Sequence, residues 1–279
     1  MMNNSGHDIF FTKMQAAGND FVVIDNRSKT YTKDQLIALA PDICDRRFGV
    51  GSDGILALFP SERKEVDYTM FYRNPDGSDA GMCGNGARCM ALFAQSLGFA
   101  DKHTFNVHDN IYEAHILAED TVSVAFPMEA SVEELTLDDE QLYAIHTGTQ
   151  HLVLPVEKQE LEEEKTLVQQ GRHLRYHKHF APKGTNVNFI YGAHDTALHL
   201  QTYERGVEDL TLACGTGAIA SALVWHHLQN NTSTAGKYSV DTKGGTLNVH
   251  FAFDVNNKTY RNIKLEGPAH FVFKGSYLQ

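Results

Sequence analysis

A short turn that occurs twice constrains this chain more than any other feature. Cys83-Gly84-Asn85-Gly86-Ala87 matches Cys214-Gly215-Thr216-Gly217-Ala218, 131 positions further on. Each copy opens a run with apolar residues at helical spacing: Ala87, Met90, Ala91, Phe93, Ala94 and Leu97 after the first, Ala218, Ile219, Ala222, Leu223, Trp225 and Leu228 after the second. Tyr72 stands 11 residues before Cys83, as Tyr203 does before Cys214, and Gly18 and Gly148 precede the two cysteines by 65 and 66. Matches at nearly one offset predict two copies of one fold, and 279 residues suffice for two such halves.

Around these helices the chain reads as strand. Asp8–Met14, Phe21–Asp25, Ile55–Phe59, Asp67–Tyr72, Thr104–His108, Tyr112–Leu117 and Thr121–Phe126 are rich in β-branched and aromatic residues, and the second half repeats the texture from Gln141 to Lys274. Short spacings predict antiparallel or mixed sheets. Asp109-Asn110 and Asn256-Asn257 are turn candidates. Thr32 with Gln35 forms a capping-box start, with Pro41 expected to kink or restart that helix, and Glu157 to Gln170, acidic and then weakly amphipathic, predicts a helix with a solvated face.

Composition excludes several classes. Hydrophobic residues at 42% and charged residues at 21% describe a globular chain. A net charge of −11 argues against binding a phosphate backbone. Four cysteines are too few for a disulfide scaffold, and the 15 histidines show no structural zinc spacing, so no metal is predicted. The polar stretch Met1 to Gln15 does not read as a signal peptide, and no apolar run reaches the roughly 18 residues of a membrane helix, so a cytoplasmic chain is expected.

At a helix N-terminus, unsatisfied N–H groups and the helix dipole favour an anion. A thiol there is shifted from about 8.5 toward neutrality, and the glycines let a ligand approach the backbone. One such turn suits a redox cysteine or a nucleophile. Two on opposite sides of a cleft suit a different reaction. One thiolate removes the α-proton of an amino acid, the other thiol protonates the opposite face, and the paired helix ends stabilise the enediolate. Pyridoxal phosphate is not required, and no cofactor is predicted.

The sequence resembles the diaminopimelate epimerase family. The resemblance is carried by Ala17-Gly18-Asn19-Asp20-Phe21, Arg47-Phe48-Gly49-Val50-Gly51-Ser52-Asp53-Gly54, Asn74-Pro75-Asp76-Gly77-Ser78, Met82 to Cys89, Gly184-Thr185-Asn186-Val187-Asn188-Phe189, Glu204-Arg205-Gly206 and Ala213 to Gly217. It implies an α/β (α+β) chain of two pseudo-symmetric domains. Each is a mostly antiparallel, β-barrel-like sheet around a central helix, with the active site between them. The expected division is 1–126, joined by 270–279, and 127–269.

The resemblance also implies site roles. Cys83 and Cys214 resemble the acid/base pair, supported by His151, and Gly84-Asn85 and Gly215-Thr216 the carboxylate cradle. Glu204 resembles both a member of the catalytic set and the ammonium contact, and Arg205 the grip on a distal carboxylate. Asn19, Asn74 and Asn186 resemble amide ligands, and Gly54 a backbone contact. A homodimer and a small amino-acid substrate are family expectations, with no nucleic acid or membrane partner.

Two departures fall where the distal end of the substrate would bind. Gly148-Thr149-Gln150-His151 replaces the usual Gly-Asn-Pro-His, and Glu204 to Cys214 is one residue longer than the common form. They leave open a racemase for another amino acid, such as histidine. A thiol redox or metal-binding protein is a third reading. Cys44 and Cys89 read as core thiols, the three asparagines also as turn formers, and Arg205 also as a structural ion pair.

Overall fold

A computed structural model describes residues 8–79 and 81–278 and divides the chain into two compact units, Met1–Val122 with Ala269–Gln279, and Ser123–Pro268.

The first unit contains β1 (Ile9–Ala16), β2 (Asn19–Asp25), α1 (Lys33–Cys44), β3 (Ile55–Pro60), β4 (Tyr68–Arg73), α2 (Gly84–Ser96), β5 (Lys102–Val107) and β6 (Asn110–Ala118). β1–β2, β3–β4 and β5–β6 pair antiparallel, while β2–β3 and β4–β5 are parallel. The last strand of the chain, His270–Tyr277, returns to pair antiparallel with β1. Phe21, Val22, Val23 and Ile24 are all buried, because β2 is covered on both faces. Val22, Ile24, Ile55, Ala57 and Phe71 pack with Leu36, Leu39, Ala40 and Ile43 of α1. The other face meets α2, where Gly86 lies against Phe21, Leu56 and Met70. Every residue of α2 from Gly84 to Ala94 is buried, as befits a helix inside a sheet.

The second unit continues from β7 (Thr121–Phe126) with β8 (Glu133–Leu137), β9 (Glu140–His146), β10 (Gln150–Pro155), α3 (Lys158–Glu162), α4 (Glu164–Arg175), β11 (Asn186–His194), β12 (Ala197–Glu204), β13 (Asp209–Thr211), α5 (Gly215–Leu228), β14 (Ala235–Thr242), β15 (Gly245–Asp254) and β16 (Thr259–Pro268). The first unit's pairing pattern recurs. β9–β10, β11–β12 and β14–β15 are antiparallel, and β10–β11 and β12–β14 parallel. β8 and β16 extend the two ends, and β13 pairs with β12. α5 is apolar on nearly all sides and packs on β9 to β12 and β14 to β16. α3 and α4 cover the other face through Leu161, Leu167 and Leu174, against Leu152, Leu154, Val187 and Phe189.

Several expectations need correction. The tight turn after β5 is His108-Asp109, not Asp109-Asn110: Asn110 already pairs with Val107, and His108 takes φ 51°. Thr32 and Gln35 form the capping box, but α1 runs unbroken past Pro41. A proline there removes only the bond to Ile37 O, and Gly77 lies so close to that carbonyl that a Cβ would come within 2.9 Å of it. The acidic segment from Glu157 is two helices, broken at Glu163 (φ −88°, ψ 67°). Tyr72 and Tyr203 are not equivalent in space. Tyr72 packs edge-on to Phe21 on the α2 side, whereas Tyr203 lies on the α3/α4 side, against Gly171. Gly18 and Gly148 both sit in the hairpins before β2 and β10, at φ 83° and 96°.

Candidate active site

In the first unit Cys83 is the N-cap of α2, at φ −117° and ψ 119°. Its sulfur accepts from Gly86 N–H at 3.4 Å, occupying one of the groups a helix start leaves open. The Asn19 carbonyl oxygen lies 3.7 Å from the sulfur and 3.5 Å from Asn85 Nδ2.

Asn19 is oriented from the other side, where Nδ2 donates to Asp53 at 2.6 Å. Asp53 belongs to an ionic cluster with Arg46, Asp20 and Lys13, which ties β1 and β2 to the segment between α1 and β3. Lys13 also donates to Gly51 O. Burial opposes the charge on Asp20, but Arg46 and Lys13 overcome it and hold the carboxyl down to about 2. Asn85 accepts from the fully buried Arg88 at 2.6 Å, and Arg88 also donates to Gly84 O. Burial lowers that guanidinium to about 10, still a cation at neutral pH.

Asn74 and Gly54 are held by other contacts. Asn74 closes the turn to Ser78 through its own amide. Gly54 passes so close to Tyr72 and Arg73 that a Cβ would meet them at 2.6 and 2.5 Å, a packing reason for glycine.

In the second unit Cys214 is the N-cap of α5, at φ −111° and ψ 112°, within a few degrees of the Cys83 geometry. Its sulfur lies 3.6 Å from Thr216 Oγ1. Thr216 Oγ1 is 3.0 Å from His151 Nε2, as is Thr149 Oγ1. His151 is wholly buried, and desolvation pushes its ring down to about 3, so it is neutral at working pH. Asn188 Nδ2 donates to His151 Nδ1 at 3.0 Å, and Thr202 Oγ1 to Asn188 Oδ1 at 3.0 Å. Thr147 Oγ1 holds Thr216 O.

Asn186 uses both amide hydrogens internally, toward Thr149 Oγ1 and Gln150 O, while its carbonyl oxygen takes the Arg205 N–H at 2.8 Å. That amide therefore fixes where Arg205 leaves β12. The longer segment after Glu204 is held by Glu208, which accepts from Gly206 N–H and Arg175. Burial opposes ionisation of Glu208, but these donors keep its carboxyl below the usual range. β13 occupies the rest of that segment.

Cys44 and Cys89 lie in the core, where burial pushes both thiols up and out of acid–base use. Asn188 and Thr202 were not among the expected site residues, although Asn188 stands two positions after Asn186 and so on the same strand face. Asp53 was likewise outside the expected set. Among the described residues no group of His, Cys, Asp or Glu is arranged to hold a metal, and no helix is long and apolar enough to cross a membrane.

The sequence matches the diaminopimelate epimerase family over residues 11–125 and 143–272. It is 37% identical to the diaminopimelate epimerase of Flavobacterium psychrophilum, covering 94% of this chain and 97% of that one. To the diaminopimelate epimerase of Chlorobaculum tepidum it is 38% identical, over 94% and 99%. Among solved structures, a Bacillus anthracis phenazine biosynthesis protein of the PhzF family superposes with a TM-score of 0.77 at 13% identity, covering 98% of this chain and 100% of that one. A hydroxyproline epimerase from Agrobacterium vitis superposes with a TM-score of 0.72 at 14% identity, over 97% and 91%. These two share the fold; the sequence relatives and the matched motifs settle the family. The chain belongs to the diaminopimelate epimerase family.

Proposed function

We propose that this protein is an isomerase that converts LL-2,6-diaminopimelate to the meso form without a cofactor, supplying lysine and peptidoglycan precursors. The observation that carries the reading is the pair of N-cap cysteines with matching backbone geometry, one at the start of each buried helix.

In the proposed reaction Cys83 and Cys214 address opposite faces of one α-carbon. One thiolate takes the α-proton. The Cα–H bond breaks, an S–H bond forms, and the electron pair passes into the carboxylate as an enediolate. The other thiol then gives its proton to the opposite face and is left as thiolate. The backbone N–H groups of Gly84-Asn85 and Gly215-Thr216 meet the growing charge with two helix N-termini.

Glu204 takes the substrate ammonium, and Arg205, half-exposed at the end of β12, takes the distal carboxylate through its fork of donors. Asn19 and Asn74 border the substrate, Asn186 acts by placing Arg205, and Gly54 contributes backbone. The two epimerase halves correspond to 1–126 with 270–279, and to 127–269.

A cytoplasmic location is supported by the need to keep both thiols reduced. A homodimer is supported by Phe10, Phe271, Val272 and Phe273, which leave apolar surface exposed on β1 and the terminal strand.

The test is chiral chromatography after incubation with LL-diaminopimelate or L-histidine. Appearance of the meso isomer, with histidine unchanged, is the expected result. Racemisation of histidine alone would replace the substrate assignment while leaving the chemistry.

A further inference from the structure

We propose that the Thr216 hydroxyl is a fixed hydrogen-bond donor to the Cys214 sulfur, aimed there by Asn188 through the His151 ring, and that this contact favours the Cys214 thiolate. Thr216 and Asn188 are then positioning residues of the reaction, and His151 is not a base. The catalytic meaning rests on the two-thiol reading above. The direction of the hydrogen bonds does not.

The direction follows from Asn188. Its Nδ2 also donates to Leu152 O at 3.0 Å, and its Oδ1 accepts from Thr202; reversing the amide would set its oxygen against the Leu152 carbonyl, which can only accept. Nδ1 of His151 therefore accepts. The ring is neutral, so its one proton is on Nε2. Nε2–H faces the hydroxyls of Thr149 and Thr216. With a hydrogen already on Nε2, the Thr216 hydroxyl hydrogen cannot point at the ring. The Cys214 sulfur, 3.6 Å away, is the acceptor it meets. A donor aimed at sulfur stabilises the charged form, adding to what the start of α5 supplies.

The other titratable groups acting on this ring are His146 at the end of β9 and Arg205 after β12, with Glu204 beside Arg205. Both His146 and Arg205 favour a neutral His151. None of them changes which nitrogen carries the proton.

The device belongs to the second unit. There Gly217 of α5 lies against Asn188 and Thr202; in the first unit Gly86 of α2 lies against Phe21, Leu56 and Met70. The fold is thus built in one half with apolar side chains at the place where the other half has a buried polar relay. At Cys83 the neighbouring side chain, Asn19, presents a carbonyl oxygen instead of a hydroxyl.

The test follows thiolate absorbance in the far ultraviolet as pH is raised, in the full chain without substrate, so it is independent of the epimerase reading. The Cys214 step is the one missing from Cys214→Ala. Thr216→Val should move that step up by about one pH unit, and Thr216→Ser should leave it in place. Thr216→Ala removes the hydroxyl with less bulk and is read the same way. A Cys214 step unmoved by Val and Ala, or moved as far by Ser, overturns the proposal. Loss of epimerase activity in every assay, with the predicted shifts intact, would instead count against the proposed function.

Discussion

Asn188 Nδ2 and His151 Nδ1 lie 3.0 Å apart inside the second unit, with no water-facing side to the ring. A histidine held this way donates from Nε2 and takes up no proton at working pH. Nitrogen-15 spectra of histidine-labelled protein should show His151 as the Nε2–H tautomer, with no titration near the ordinary value of 6.5. A midpoint in the neutral range would make His151 an acid–base group after all.

Acid should weaken the fold through three histidines. Burial lowers His103, His151 and His226 from 6.5, and Nε2 of His103 and of His226 is buried without a hydrogen-bond partner among the described residues. Below 6.5 the unfolded chain binds these protons and the folded chain resists them, so stability falls as pH drops from 6.5 toward the folded values. Each group contributes up to about 1.4 kcal/mol per pH unit in that window. His226 sits among Tyr238, Phe251, Phe253 and Tyr260, so His226→Phe should flatten part of the slope in urea unfolding measured across pH. An unchanged slope would show that His226 does not fold neutral.

The two helix glycines should respond differently to alanine. A Cβ on Gly217 would lie 2.5 Å from Asn188 Oδ1 and 3.1 Å from Thr202 Oγ1, atoms that are themselves hydrogen-bonded. A Cβ on Gly86 would meet only the ends of Leu56, Met70 and Phe21, at 3.3 to 3.5 Å. Gly217→Ala should cost about 2 kcal/mol in chemical denaturation. Gly86→Ala should fall within about 1 kcal/mol of wild type, helped by the better helix propensity of alanine. Equal costs would contradict the packing described.

Asp53 acts through Asn19. Replacing it by alanine removes the acceptor that turns the Asn19 carbonyl oxygen toward Cys83, and one partner of Arg46. kcat/KM should fall about ten- to a hundredfold, the scale of one charge-assisted hydrogen bond. Asp53→Glu should recover part of it. Activity within twofold of wild type in Asp53→Ala would remove Asp53 from the site.

Much of this was legible in the sequence because backbone chemistry wrote it there. The Cys-Gly-x-Gly turns, the apolar helices behind them and the β-branched strands each follow from local rules. The polar edge strand β8 (Glu133–Leu137) and the three-residue β13 carry too little hydrophobic pattern to be read. The Tyr72/Tyr203 match failed because one residue of register reverses a strand face, which an offset in the sequence cannot sense. Asn188 and Thr202 went unread for a related reason: a polar residue in an apolar strand declares itself only when the helix it faces is known.

The most direct test of the central claim is solvent exchange at the α-carbon. In deuterated water the wild-type protein should convert LL-diaminopimelate to the meso form with one solvent deuterium at the inverted centre. Cys83→Ser and Cys214→Ser should each lose that conversion by at least about a hundredfold, since a serine hydroxyl is a far weaker acid than a thiol. Full conversion by either variant, or no deuterium in the wild-type product, would contradict a mechanism that uses both thiols.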